Sequence, residues 1–197
     1  KGVGTSLKHY VANNVETRRM WANSDVDERT LNEIYMTPFE IAVKESQPWS
    51  VMACYNRVQS IYGTESQRLL TDKLKNEWGF KGIVISDWDA VIDRVEGIRT
   101  GMHLEMPGKT GHITNKIVLD AIKRGELDEK QLDVVVKDIL RIVFMGQNNP
   151  TGEAADQKLD EHHALARKIA GEAITLLKNS AGLLPLSETK HKKIAVI

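Results

Sequence analysis

The chain holds a single cysteine, Cys54, among its 197 residues, so it can form no internal disulfide, and a reducing, cytoplasmic compartment is the expectation. A leader peptide would lie ahead of Lys1. Net charge is also lacking: 27 basic and 27 acidic side chains cancel to +0. Without an excess of positive charge, neither nucleic acid nor an anionic membrane is an expected partner. No apolar run approaches the roughly 18 residues of a membrane-spanning helix. There is no internal repeat, no low-complexity tract and no zinc or calcium ligand spacing. His162 and His163 are adjacent at a helix start and would not share a face as metal ligands do. No metal or cofactor is therefore expected.

Short apolar runs alternate with helical periodicities, the pattern of repeated β-α units. Strands are predicted over Ser6–Val11, Ser50–Tyr55, Ile83–Ser86 and Met102–Glu105. Between the first two, Asp27–Ser46 reads as a helix divided by Pro38, with Asp27 as N-cap and Leu31, Ile34 and Tyr35 on its apolar face. Gln67–Trp78 carries Leu70, Leu74 and Trp78 at i, i+4 and i+8 and stops at Gly79. Another helix, His112–Arg124, stops at Gly125. The clearest helix follows Asp128: Leu132, Val135, Val136, Ile139, Leu140 and Val143 form one stripe that reads as core, with Gly146 past its end. Residues 147–158 turn polar and Gly/Pro-containing, as an interdomain crossing would. A short helix, Glu161–Glu172, and a strand, Ile174–Leu177, come after.

Asp87 closes the run Ile83-Val84-Ile85-Ser86-Asp87-Trp88. An all-apolar, β-branched strand is buried on both faces, and an acid just past it stands at the carboxyl-end rim of a parallel sheet or barrel, where such proteins keep their chemistry. The alternative is that Asp87 only caps the following turn.

Many segments bear on that choice. They include Lys8-His9-Tyr10, then Ala12-Asn13-Asn14-Val15-Glu16-Thr17-Arg18-Arg19-Met20, Tyr55-Asn56-Arg57, Glu77-Trp78-Gly79-Phe80, Ser86-Asp87-Trp88 and Glu105-Met106-Pro107-Gly108. In this order and spacing they resemble glycoside hydrolase family 3, the β-glucosidases and related exo-acting enzymes, over nearly the whole chain. The resemblance implies an α/β fold: the C-terminal part of a (β/α)8 TIM-like barrel over 1–145, a linker over 146–158, and the start of an α/β sandwich domain over 159–197. Lys193–Ile197 would be that domain's first strand. A barrel of eight units takes about 250 residues, so the chain is expected to be a fragment. Its unpaired strand edges would allow pairing with another chain, a homo-oligomer included.

By the same resemblance the chemistry is hydrolysis of β-glucosides or cello-oligosaccharides with retention. Asp87 matches the nucleophile. Retaining pairs lie roughly 5 to 5.5 Å apart, and the family's acid/base glutamate is expected beyond Ile197. Lys8 and His9 match a pair that binds sugar hydroxyls. Consecutive strand residues point to opposite faces, so a shared sugar requires a backbone departing from strand geometry at 8–10, a cis peptide at Lys8-His9 or His9-Tyr10 being one form. Trp88 resembles an aromatic wall of the sugar pocket. Tyr55, at the end of its strand, could donate to the Asp87 carboxylate and hold it ionised, with Met52 as a space-filling companion.

Other residues read more plainly. Glu16, Arg18 and Arg19 form ion pairs that shape a loop, and Arg57 is an exposed loop cation. His103 stands where the family usually has an acid, and Gly63-Thr64-Glu65 replaces a segment that often holds a cysteine. The family's β-N-acetylglucosaminidase branch follows its Lys-His with Pro-Gly-His-Gly, whereas Val11-Ala12-Asn13-Asn14 stands here. β-Xylosidase activity and a non-catalytic carbohydrate-binding or assembly fragment stay open as alternatives.

Overall fold

The computed structural model describes residues 3–108, 113–148 and 158–195. It divides into two compact units, Lys1–Thr151 and Gly152–Ile197. Most of the expected linker, and His112, fall outside the described residues.

The main sheet takes β1 (Ser6–Tyr10), β3 (Ser50–Ala53), β6 (Ile83–Trp88) and β7 (Leu104–Met106), side by side in that order and parallel throughout. β3 and β6 pair in regular register, Ser50 with Ile83 through Ala53 with Ser86. The two outer pairings are irregular. β1 advances three residues, Leu7 to Tyr10, while β3 advances two. β6 likewise advances three, Ile85 to Trp88, against two on β7. The Lys8-His9 peptide within the first irregularity is cis, as is Tyr10-Val11 just past it.

A small second sheet escaped sequence reading because its strands are two residues long. β2 (Asn23–Ser24) pairs parallel with β4 (Arg57–Val58), and β4 pairs antiparallel with β5 (Ile61–Tyr62). The turn between β4 and β5 has positive φ at Gln59 and Ser60, the geometry that matches strand twist in a two-residue hairpin.

Helices cover one side of the main sheet. Asp27 accepts from the Thr30 amide at 2.9 Å and starts a continuous run: α1 (Glu28–Thr30), a π-helical stretch (Leu31–Met36) and α2 (Thr37–Ser46). Pro38 does not divide this run. It stands in the first turn of α2, where a missing N–H is tolerated. The wider π winding buries Leu31 and Met36, five apart, and leaves Ile34, expected on the apolar face, 63% exposed. Leu69, Leu70 and Leu74 of the π-helical segment Arg68–Glu77 complete the core with Val51, Ala53 and Val84 of the sheet. Each fully buried Leu or Val contributes about 1.5 to 3 kcal/mol by leaving water. Tyr10 anchors β1 there, its ring edge-on to Phe39 and Trp78 and its hydroxyl donating to Leu69 O at 3.1 Å.

The helices α3 (Arg94–Thr100), α4 (Ile113–Lys123) and α5 (Glu129–Gln147) form a second cluster. Asp128 caps α5, as expected, but Gly146 lies inside the helix. The α5 stripe is only half core. Val135 is buried with Leu132 and Ile139 beside it, because that half meets a neighbouring helix, whereas Val136, Leu140 and Val143 remain roughly half exposed. With Phe144, Val136 and Leu140 line a cavity of about 720 Å³. Among the described residues no helix is long and apolar enough to cross a membrane.

In the second unit, α6 (Leu159–Ala173) forms slightly longer than expected. Ile174–Leu177 and residues 193–195, expected as strands, are not; a strand needs a hydrogen-bonded neighbour, and no such pairing occurs there among the described residues. Val196 and Ile197 lie outside them.

His103 sits at the other end of the sheet from Asp87, ahead of β7, and its ring is buried. Its Nδ1 accepts from the Val84 amide at 3.0 Å, so the ring proton sits on Nε2 and is donated to Asp138 Oδ2 at 3.1 Å. Lys75 Nζ donates to the same oxygen at 3.0 Å. Burial, and then the Lys75 charge, push the His103 pKa down from 6.5 to about 4, with Asp138 opposing. Burial would raise Asp138, but the hydrogen bonds from Lys75 and His103 hold it below the usual carboxylate value.

The unfolded histidine takes a proton below about pH 6.5 and the folded one only near pH 4, so stability should be full above pH 6.5. It should then fall by on the order of 3 kcal/mol on acidification across that window. Urea unfolding at pH 7 and pH 5 checks this, and His103→Gln should remove the slope between those values. A second outcome concerns Gly63, where a Cβ would stand 2.5 Å from Cys54 Sγ. Gly63→Ala is expected to destabilise by about 1 to 3 kcal/mol, read as a lower urea midpoint.

Candidate active site

Asp87 was expected just beyond its strand. It lies within β6, because the pairing of Trp88 with Met106 carries the strand two residues past Ser86. The irregular register at this point is held by Ser86, whose Oγ accepts from the Met106 amide at 2.8 Å, while the Asp89 amide donates to Met106 O at 2.9 Å. A bulge of this kind re-aims a side chain at a strand end. Asp87 is the side chain concerned, and the residue is 7% exposed.

Three groups converge on its carboxylate. The Trp88 amide donates to Oδ1 at 2.7 Å, His9 Nε2 faces Oδ2 at 3.3 Å, and the Tyr55 phenol stands close enough to interact with the carboxylate. Burial, then the interaction with Asp87, raises the Tyr55 pKa, so the phenol keeps its proton near neutral pH. The His9 side chain is 35% exposed and turned to Asp87 from the irregular stretch of β1. Tyr55 stands two residues past β3, with Cys54 ahead of it packed against Gly63.

The remaining predicted residues are less tightly gathered. Trp88 is 59% exposed beside Asp87. Met52 is half-buried in β3, in register with Ile85 two residues before Asp87. Lys8 is exposed, and its side chain makes no hydrogen bond or ion pair among the described residues. The turn Gly63–Glu65 fixes the loop after Asp87: Thr64 Oγ1 donates to Ala90 O at 3.3 Å, and Glu65 Oε1 accepts from the Asp93 amide at 2.8 Å.

Sequence reading gave no site role to Ser86 or Arg19. Arg19 pairs with Glu16 at 2.8 Å, as expected of that loop, but its guanidinium also lies 4.3 Å from the centroid of the Tyr55 ring. Only a contact between segments 36 residues apart reveals it. Arg57 is partly buried rather than exposed, because Nη2 donates to Trp21 O at 2.9 Å and ties the Arg19 loop to β4. A buried carboxylate at a parallel-strand end, supplied with fixed donors, is arranged to act as a nucleophile or to stabilise positive charge.

The model of the glycosyl hydrolase family 3 N-terminal domain matches residues 1–142. Thermostable beta-glucosidase B of Acetivibrio thermocellus is 49% identical over 189 residues, which is 96% of this chain and 25% of that protein. An exo-alpha-(1->6)-L-arabinopyranosidase of Bifidobacterium longum is 38% identical over 204 residues, covering 100% of this chain and 27% of its own length. The structure of beta-glucosidase 3B from Thermotoga neapolitana in complex with glucose superimposes with a TM-score of 0.79 at 40% identity, over 94% of this chain and 27% of that one. The chain thus spans about a quarter of the length of these relatives. With a family model running over most of its first unit and such identity along nearly all its length, the chain belongs to glycoside hydrolase family 3, and its parallel sheet with covering helices is TIM-barrel-like.

Proposed function

We propose that the protein carrying this chain releases terminal, non-reducing β-D-glucosyl residues from β-glucosides or cello-oligosaccharides with retention. The observation that carries this reading is Asp87: buried, at the end of a parallel strand, and oriented by the Trp88 amide, His9 and Tyr55. The Asp87 carboxylate attacks the anomeric carbon, and the bond to the leaving oxygen breaks as a proton donor outside this chain protonates that oxygen. Water, deprotonated by the same group, then cleaves the glycosyl ester and frees Asp87. Lys8 and His9 bind hydroxyls of the sugar in this reading, while Trp88 and Met52 offer it apolar surface. The relatives named beta-glucosidase favour glucose over the arabinopyranose of the Bifidobacterium enzyme.

In the full-length enzyme, Asp87→Ala should lower kcat by roughly three or more orders of magnitude. Azide should restore part of the turnover and give the inverted glycosyl azide. A 2-fluoro glucoside should label Asp87 of the wild type, as read by peptide mass spectrometry; labelling of another carboxylate, or preference for an aryl α-L-arabinopyranoside over an aryl β-glucoside, would overturn the corresponding part of the reading. The 197-residue chain alone lacks the proton donor in this scheme. Its rate on aryl β-glucosides should therefore be lower than that of the full-length enzyme by at least about 10² to 10⁴.

A further inference from the structure

The Arg19 guanidinium lies 4.3 Å from the centroid of the Tyr55 ring, and the Tyr55 phenol interacts with Asp87, so a cation, a phenol and the carboxylate stand in sequence. The loop bearing Arg19 is fixed from several directions. The Trp21 and Ala22 amides both donate to Arg18 O, at 2.8 and 2.9 Å, with Arg18 in the left-handed region at φ 54. Arg57 reaches the Trp21 carbonyl from β4, and Glu16 holds Arg19 Nη1 at 2.8 Å. That ion pair alone is worth little on an exposed surface. What it does is present the flat guanidinium to the Tyr55 ring, where a cation is attracted to the ring face. The positive charge also opposes the rise that burial and Asp87 impose on the phenol, which makes the hydroxyl a stronger donor.

We propose that Arg19 is a positioning residue: stacked on Tyr55, it holds the phenol on the Asp87 carboxylate in the attitude from which the carboxylate attacks the anomeric carbon. This rests on the reading of Asp87 as the nucleophile. Arg19 itself touches neither the carboxylate nor, in this proposal, the sugar, so its effect passes through Tyr55.

The test is a double-mutant cycle in the full-length enzyme, with kcat and KM on an aryl β-glucoside and labelling by the 2-fluoro glucoside. Arg19→Gln is expected to lower kcat and the labelling rate about tenfold or more, with KM within about threefold. Made in a Tyr55→Phe background, the same change should cost less than about twofold, since the hydroxyl it positions is gone. Should Arg19→Gln lower the unfolding midpoint, Arg19→Lys, which keeps the ion pair and loses the planar stack, takes its place in the cycle. Equal losses in both backgrounds, or wild-type kinetics for the single variant, overturn the proposal while the label still sits on Asp87. A label on a different carboxylate overturns the nucleophile reading, and this proposal with it.

Discussion

Two places where a strand takes one residue more than its neighbour organise this molecule. β1 makes the extra step between Leu7 and Tyr10, and β6 makes it between Ile85 and Trp88. His9 and Asp87 lie inside those steps, and they are the two residues whose side chains meet at 3.3 Å. Regular pairing of Lys8, His9 and Tyr10 would alternate them across the sheet. With the shift, Tyr10 stays locked under α2 and the Trp78 ring while its neighbour His9 turns to the rim. The central pairing of β3 with β6 remains regular and supplies the rigid reference for both departures.

Everything around the carboxylate is held from a distance. The loop after β1 is tied through Arg57 to the small sheet, and the turn Gly63–Glu65 ties the loop after β6. Tyr55 sits where these two supports approach the main sheet. Its position depends on Cys54, whose sulfur fills the space beside Gly63 and leaves no room for a side chain there. A segment that departs from the family's usual sequence thus still has a packing reason of its own.

His103, the other departure, belongs to a different task. Its hydrogen bonds run to Val84, near the start of β6, and to Asp138 of α5, which itself holds Lys75 and Arg141. This buried polar set fastens α5 and the π-helical segment to the sheet, where an unpaired histidine would carry a desolvation cost. His103 stands away from the Asp87 rim, at the other end of the sheet.

The sequence by itself determined most of the longer elements and their order. A β-branched run specified β6, Asp27 and Asp128 marked helix starts, Gly79 and Gly125 marked stops, and the motifs around Lys8-His9 and Ser86-Asp87-Trp88 pointed to the family. These signals are short in range, and each depends on a few neighbouring residues. What only the tertiary structure decided depends on partners far along the chain. The π winding that buried Met36 in place of Ile34, the half of the α5 stripe that found a neighbour, and the strand at Ile174–Leu177 that found none are of this kind. So is the stacking of Arg19 on Tyr55, because a guanidinium and a ring from separate loops meet only when two different strands have placed both loops at one rim.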